Sequence, residues 1–177
     1  MARIGLCGTQ SVGKTTLVNA LKDIEQFKDY NFATERSKYL RDLGIPLNTD
    51  STLKGQTIFL AERCSELINE NLITDRTVID VMAFTLNADS ISQIPQSLFL
   101  TYAKEFIPEY DYIFYISPEG IPIEDNSVRE INEIYRGKID NTIQDMLSIY
   151  GSKIPNYYEI SGTTEERIQQ ILNVVNS

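Results

Sequence analysis

The sequence predicts an α/β fold in which a five-stranded parallel sheet is covered by helices on both faces. Apolar segments of strand length alternate with segments of helical periodicity along the whole chain. The segment 110–117 is apolar almost throughout, which is typical of a central strand in a parallel sheet. A chain of 177 residues fits one compact domain, so we expect a single domain over residues 1–177.

Each predicted element follows from its own local pattern. Strands are expected at residues 3–7, 30–34, 72–74, 110–117 and 156–160. Shorter helices are expected at 14–24, 35–43, 78–86, 95–106 and 163–175, and longer helices follow residues 51 and 126. Because ligands of parallel sheets bind at the carboxyl ends of the strands, candidate site residues should follow Cys7, Thr34, Thr74, Ser117 and Ile160.

Two helices carry further signals. The first long helix has N-cap candidates at residues 49–51, and its apolar face is predicted to carry Leu53, Leu60, Cys64, Leu67 and Ile68. The closing helix is predicted to begin with a cap from Thr163 or Thr164, with Glu166 behind it.

The composition excludes several kinds of site and partner. The 16 basic and 25 acidic residues give a net charge of −9, so a nucleic acid polymer is not expected as a partner. The absence of histidine excludes Ser-His-Asp triads and zinc sites built on histidine. Cys7 and Cys64 each lie in an apolar pattern and are expected to be reduced and buried. No apolar run reaches the ~18 residues of a membrane span, and the chain leads directly into a strand, so we expect a cytoplasmic protein without a membrane partner.

A phosphate-binding motif follows the first predicted strand. Residues 8–15 read Gly-Thr-Gln-Ser-Val-Gly-Lys-Thr, which matches G-x-x-x-x-G-K-[ST]. Gly8 and Gly13 permit backbone angles that turn successive N–H groups toward an anion, and the following helix points its positive end at the phosphates. ATP is therefore the expected cofactor. Its predicted contacts are Gly8, Gln10, Ser11, Val12, Gly13, Lys14, Thr15 and Thr16.

An acid and a base follow the third predicted strand. Asp75 is the natural partner of a magnesium ion, together with the hydroxyl of Thr15. Arg76 lies at the same edge of the sheet and is expected to hold a second phosphate or the transferring one. The sequence thus predicts Mg²⁺ at Thr15 and Asp75.

The second strand and the first long helix supply candidates for an acceptor site. Glu35 can accept or orient the proton of an attacking hydroxyl, and Arg36 can bind an acceptor phosphate. The helix presents an amide, a ring and a cation at helical spacing, namely Gln56, Phe59 and Arg63. Phe84 and Tyr102 are weaker candidates for the same pocket.

A lid is predicted at about residues 118–138, between the fourth strand and the second long helix. Arg129 and Arg136 lie seven residues apart, which places them on the same face of a helix. Arginines that a closing lid brings to the equatorial phosphate oxygens stabilise the charge there, and closure excludes water.

These motifs together resemble phage-type deoxynucleoside monophosphate kinases and the related ribosylnicotinamide kinase domains, both members of the P-loop kinases. The resemblance rests on the phosphate loop, the Asp75-Arg76 pair and the Pro-Ile-Glu-Asp stretch that precedes Arg129, where this chain has Ser127 at a position often held by glycine. It implies a P-loop kinase fold with an arginine-bearing lid. It also implies that Lys14, Arg76, Arg129 and Arg136 serve phosphoryl transfer and that Glu35, Arg36 and Arg63 face the acceptor. Together with the patterns above, the predicted catalytic residues are Lys14, Glu35, Arg76, Arg129 and Arg136, and the predicted acceptor-binding residues are Glu35, Arg36, Gln56, Phe59, Arg63 and Arg76.

Three functions remain open from the sequence. A nucleoside monophosphate kinase is favoured, because Arg36, Arg63 and Arg76 exceed what ATP alone needs. In a nucleoside or nicotinamide riboside kinase, Glu35 would be a true general base on the 5′-hydroxyl. A regulatory P-loop NTPase would have no kinase acceptor. A homodimer also stays open from the sequence. Separately, the segment 95–106 is expected to have a partly apolar surface.

Overall fold

The strands of the chain form one parallel sheet. The computed structural model describes residues 1–34, 36–122 and 132–176. Its strands are β1 (Arg3–Cys7), β2 (Asn31–Ala33), β3 (Leu72–Asp75), β4 (Tyr112–Ile116) and β5 (Asn156–Ile160). They pair in the order β2-β3-β1-β4-β5, and every pairing is parallel. The predicted sheet is confirmed, and each strand agrees with its predicted bounds to within two residues.

Helices cover both faces of this sheet, as predicted. In the described ranges they are α1 (Lys14–Leu21), α2 (Ser37–Asp42), α3 (Leu53–Glu66), α4 (Val78–Leu86), α5 (Gln93–Ala103), α6 (Glu133–Tyr150) and α7 (Thr164–Val175). Apolar residues of α1 and α7 pack in a core on one face, whereas residues of α3, α4, α5 and α6 build a larger core on the other.

The alternation of β4 shows how one strand serves both cores. Ile113 and Tyr115 belong to the core with α4 and α6, whereas Phe114 and Ile116 belong to the core with α1 and α7. All four side chains are buried, which explains why this strand reads as an uninterrupted apolar run. Because β3, β1 and β4 are neighbours in the strand order, their carboxyl ends lie side by side at the centre of the sheet.

The start and the outer face of α3 differ from their predictions. Residues Asn48–Asp50 form a 3₁₀ turn, and the N-cap is Thr52, whose hydroxyl accepts a hydrogen bond from the Gly55 N–H. Leu53 and Ile68 are exposed rather than buried, because Leu53 is the first residue of α3 and Ile68 lies beyond its last residue, Glu66. Cys64 is only partly buried, whereas Cys7 is fully buried as expected, and both thiols are free.

The closing helix begins as the sequence predicts. Thr163 and Glu166 form a capping box, in which the Thr163 hydroxyl accepts from the Glu166 N–H and the Glu166 carboxylate accepts from the Thr163 N–H. The apolar surface expected near residues 95–106 is present on α5, where Ile94, Leu98 and Tyr102 are exposed. Within the described ranges, no helix combines the length and the apolar character that crossing a membrane requires.

Candidate active site

The phosphate loop connects β1 to α1 through two glycines that the geometry requires. Gly8 has φ +151°, and a Cβ there would lie 2.7 Å from the carbonyl oxygen of Ile116 on β4. Gly13 has φ +85° and is the N-cap of α1. Such left-handed angles favour glycine because it has no Cβ. The motif therefore has the backbone that its phosphate-binding role demands.

Lys14 lies inside this loop. Its Nζ donates hydrogen bonds to the carbonyl oxygens of Gly8, at 2.5 Å, and Thr9, at 2.7 Å. Burial lowers the pKa of Lys14 below its ordinary value, and the nearby charge of Arg76 acts in the same direction. An anion in the loop would offset both effects, so the loop supplies a charge that is suited to phosphate.

The last residue of the motif meets the last residue of β3. The Thr15 hydroxyl donates a hydrogen bond to Oδ2 of Asp75, whose carboxylate is buried. Magnesium prefers hard oxygen ligands and is commonly bound through one or two protein oxygens together with phosphates. This oxygen pair therefore fits a magnesium ion, and the predicted metal residues are brought together. No group of three or more His, Cys, Asp or Glu residues suited to another metal occurs in the described ranges.

Arg76 is held in an unusual backbone conformation. Its φ is +85°, and its N–H donates to the carbonyl oxygen of Leu6 on β1. A non-glycine residue pays about 1–2 kcal/mol for a left-handed conformation, and such strain is often found at functional sites. The guanidinium lies over the ring of Phe84, 4.7 Å from its centroid. The strained turn thus places the Arg76 guanidinium against α4, the helix that carries Phe84.

Two recesses meet at Arg76. The phosphate cleft is lined by Gln10, Ser11, Val12, Gly13, Lys14, Thr15, Asp75 and Arg76. A more apolar pocket, which we call the acceptor pocket, is lined by Ser37, Leu47, Asn48, Ser51, Gln56, Phe59, Arg76, Val81 and Phe84. Of the residues predicted from the sequence to bind the acceptor, Gln56, Phe59 and Arg76 line it. Phe84 also lines it, whereas Tyr102 is on the exposed face of α5.

The structure gives Arg63 a position beneath the strand ends. Only 2 % of its surface is exposed, and its Nη1 donates to the carbonyl oxygen of Asp75 at 3.0 Å. Its Nη2 donates to Glu66, which also accepts from the Thr74 hydroxyl. Arg63 therefore supports the backbone of the Asp75-Arg76 turn, and it is not among the residues that line the acceptor pocket.

Arg36 and Thr16 also lie outside both recesses. The Arg36 guanidinium forms an ion pair with Glu62 at 3.4 Å and covers the ring of Tyr39, with about half of its side chain exposed. Thr16 is exposed on α1 and does not line the phosphate cleft. The predictions for Glu35 and Arg129 lie outside the described residues.

Arg136 contacts the phosphate loop from its outer side. Its Nε donates to the carbonyl oxygen of Gln10 at 3.2 Å, and its Nη1 donates to that of Ile121 at 2.6 Å. Only 4 % of its surface is exposed. The sequence predicted a lid arginine that faces the phosphates, whereas this guanidinium is bound to backbone carbonyl groups behind the loop.

Most of the chain matches one protein family. The sequence profile of an AAA domain family, AAA_28, matches residues 3–167, which include the phosphate loop, the Asp75-Arg76 turn and every strand. The chain belongs to the AAA_28 family of AAA domains. No curated protein sequence matched it at a significant level.

Solved structures share the fold of this AAA domain. A deoxyadenosine kinase from M. mycoides, with the products dCMP and a flexible dCDP bound, is 20% identical, with 98% of each chain covered and a TM-score of 0.68. The same enzyme with bound dCTP is 18% identical, again over 98% of each chain, with a TM-score of 0.69. NadR in complex with NAD and AMP-PNP is 14% identical over 98% of this AAA domain and 49% of NadR, with a TM-score of 0.71. At these identities the similarity establishes the P-loop α/β fold.

Two residues that hold the phosphate loop of this AAA domain, Asp80 and Arg167, were not predicted from the sequence. The buried carboxylate of Asp80 accepts hydrogen bonds from the Gly8 N–H, at 3.1 Å, and from both the N–H and the hydroxyl of Thr77. Residues 77–80 read Thr-Val-Ile-Asp, a capping signal that could have revealed this pair. Arg167 on α7 donates to the carbonyl oxygen of Val12 at 2.8 Å, and nothing in its local sequence indicates this contact.

Proposed function

We propose that this AAA domain is an ATP- and magnesium-dependent phosphotransferase that acts on a nucleoside-type acceptor. The observation that supports it best is the position of Arg76, which lines both the phosphate cleft and the acceptor pocket. Direct phosphoryl transfer needs a donor phosphate and an acceptor side by side, with positive charge between them. A single residue that borders both recesses meets that requirement.

Different residues of the phosphate cleft would bind the phosphates of ATP, stabilise the transferring group and hold magnesium. The loop N–H groups and Lys14 hold the β- and γ-phosphates, and Arg76 stabilises charge on the oxygens of the transferring group. Thr15 and Asp75 would hold magnesium, which when bound neutralises the phosphate charge. Glu35 and Arg129 remain predicted catalytic residues on the basis of the sequence.

The acceptor pocket has the chemistry of a site for a nucleobase. Its walls include two aromatic rings, Phe59 and Phe84, and the buried amide of Gln56. An amide offers both a donor and an acceptor to the edge of a base, and rings provide stacking surfaces. The nucleotides named with the deoxyadenosine kinase and NadR structures support this class of ligand.

The arrangement of arginines favours a nucleoside over a nucleoside monophosphate as acceptor. The sequence favoured a monophosphate acceptor because Arg36, Arg63 and Arg76 were all expected to be available for an acceptor phosphate. Arg63 is instead bonded to the Asp75 carbonyl group and to Glu66, and Arg36 is paired with Glu62. Of the described arginines, Arg76 alone lines the acceptor pocket. On this proposal Glu35 accepts the proton of the attacking hydroxyl.

A nucleoside monophosphate kinase is the second candidate. Arg36 directly precedes Ser37, which lines the acceptor pocket, and about half of the Arg36 side chain is exposed. A rotation of this side chain away from Glu62 would bring a second cation to the rim of the pocket, where an acceptor phosphate would bind.

The deciding experiment is a coupled phosphotransfer screen with ATP and Mg²⁺. Nucleosides, nicotinamide riboside and ribo- and deoxynucleoside monophosphates are offered one at a time. Lys14→Ala is the inactive control, and Lys22→Ala, which changes an exposed lysine of the same region, is the matched active control.

Turnover with a nucleoside, and its loss in Glu35→Gln, is the expected result. A diphosphate product from a monophosphate, with Arg36→Met impaired, would replace it with the second candidate. ATP hydrolysis that no acceptor changes would overturn both kinase proposals in favour of a regulatory NTPase.

A further inference from the structure

Three consecutive carbonyl groups of the phosphate loop accept hydrogen bonds from arginines outside the motif. Gln10 accepts from Nε of Arg136 at 3.2 Å, and Ser11 accepts from its Nη2 at 3.4 Å. Val12 accepts from Nη1 of Arg167 at 2.8 Å. The two arginines come from different helices, α6 and α7, and both are at least nine-tenths buried.

The geometry of an anion-binding loop explains why such donors are needed. When successive N–H groups turn toward a phosphate, the carbonyl groups of the same peptides turn outward. Here the outward side is buried against α6 and α7, where a carbonyl group without a donor is costly. Charge-assisted hydrogen bonds are stronger than neutral ones, so a guanidinium fixes a peptide plane more firmly than a neutral donor does.

Arg136 has additional contacts with another part of the predicted lid and with the phosphate loop. Its Nη1 donates to the carbonyl oxygen of Ile121, near the start of the predicted lid. Its own carbonyl oxygen accepts from the Thr9 hydroxyl at 3.3 Å. One residue thus connects the chain after β4, the first turn of α6 and the phosphate loop.

We propose that Arg136 and Arg167 are positioning residues, which orient the N–H groups of the phosphate loop by holding its carbonyl groups from behind. This role replaces the direct contact with the transferring phosphate that the sequence suggested for Arg136. It rests on the proposed function only in that the loop binds a nucleotide, and it does not require that a kinase acceptor exists.

The role predicts a distinctive effect on nucleotide affinity. A residue that contacts only the γ-phosphate would affect ATP binding and leave ADP binding unchanged. A residue that orients the loop affects every phosphate that the loop holds. Arg136→Met and Arg167→Met should therefore weaken the binding of Mg-ATP and of Mg-ADP by similar factors, about tenfold each, as measured by titration calorimetry.

Hydrogen exchange supplies a readout that needs no nucleotide. Backbone amides of residues 9–15 should exchange faster in both variants than in the parent chain, while those of β3 should not change. Lys138→Met, which removes an exposed cation from the same helix as Arg136, should match the parent in both measurements. Because the exchange is measured without ligand, a chain that shows no phosphotransfer still tests the proposal.

Two further variants keep the test decisive. Arg136→Lys keeps the charge but cannot reach three carbonyl groups in different directions. Its affinity for both nucleotides should therefore lie between that of the parent chain and that of Arg136→Met. In Arg136→Ala, added ethylguanidinium should restore part of the ADP affinity. Unchanged exchange in the loop, or a loss confined to ATP in folded variants, would overturn the proposal.

Discussion

The hydroxyl of Thr15 donates a hydrogen bond to the carboxylate of Asp75. The two residues lie sixty positions apart in the chain and meet because β1 and β3 are adjacent parallel strands that end at the same edge. Their oxygens form the part of the phosphate cleft that fits magnesium.

The first prediction concerns this pair. Thr15→Ala removes one of the two oxygens and should weaken Mg-ATP binding about ten- to a hundredfold, on the scale of a hydrogen bond to a charged group, which contributes about 1.5–3 kcal/mol. Thr15→Ser keeps the hydroxyl and should bind within about twofold of the parent. Calorimetry with Mg²⁺ and with EDTA separates an effect on magnesium binding from an effect on the phosphate loop. Equal losses in both conditions would show that Thr15 serves the loop and not the metal.

The second prediction uses the left-handed backbone of Arg76. At φ +85° a Cβ is unfavourable, so Arg76→Gly should be more stable than Arg76→Ala by about 1 kcal/mol. In ordinary helix or strand positions the order is reversed. Urea unfolding of the two variants measures the difference, and both should lose phosphotransfer equally. If the alanine variant proved the more stable, the strained turn would not exist in solution.

The third prediction tests the buried support beneath that turn. Arg63→Met leaves the Glu66 carboxylate, which is only 17% exposed, without its cation and should lower the free energy of unfolding by about 3 kcal/mol. Adding Glu66→Leu removes the unpaired acid, so the double variant should lose less than the sum of the single losses. Lys28→Met, which breaks an exposed pair with Glu25, should change stability by about 0.5 kcal/mol or less. Strictly additive losses would argue against the coupling.

The fourth prediction concerns pH. In the folded protein, burial lowers the pKa of Lys14 below its ordinary value of 10.5. At a pH between these two pKa values, the unfolded chain therefore binds more protons than the folded chain. Stability therefore rises with pH in that interval, and below it the buried charge is a constant cost. Lys14→Met should be the more stable protein at neutral pH, and its advantage should shrink as the pH approaches 10.5.

The measurement is the urea midpoint of both proteins over that pH range in the absence of nucleotide. Lys22→Met, at an exposed lysine on the C-terminal side of α1, should follow the parent at every pH. An advantage of Lys14→Met that stayed constant up to pH 10.5 would show that the lysine is not titrating.

Much of the fold could be predicted because its signals are local. The apolar run of β4, the motif at 8–15 and the capping box of α7 each depend on neighbours in the sequence, and each is present in the structure. The Thr15–Asp75 pair could also be expected, because parallel strands end together at one edge. Such features need no knowledge of how distant side chains pack.

The partners of the arginines could not be predicted in the same way. Arg63 was expected to face an acceptor because of its helical spacing from Gln56 and Phe59, yet it is directed toward the carbonyl group of Asp75. Arg167 gives no local signal, because its acceptor lies on a loop at the other end of the chain. A long cationic side chain can reach several acceptors, and only the packed helices determine which one it meets.

The contact between Arg167 and Val12 spans 155 positions of sequence. During synthesis the phosphate motif leaves the ribosome well before α7, the helix that supplies this donor. Until α7 docks, a nascent chain would carry the complete motif but lack one of the charges that hold its carbonyl groups. The order of translation therefore leaves the phosphate loop without this support until α7 docks, and a chain truncated before α7 should bind nucleotide more weakly than the intact domain.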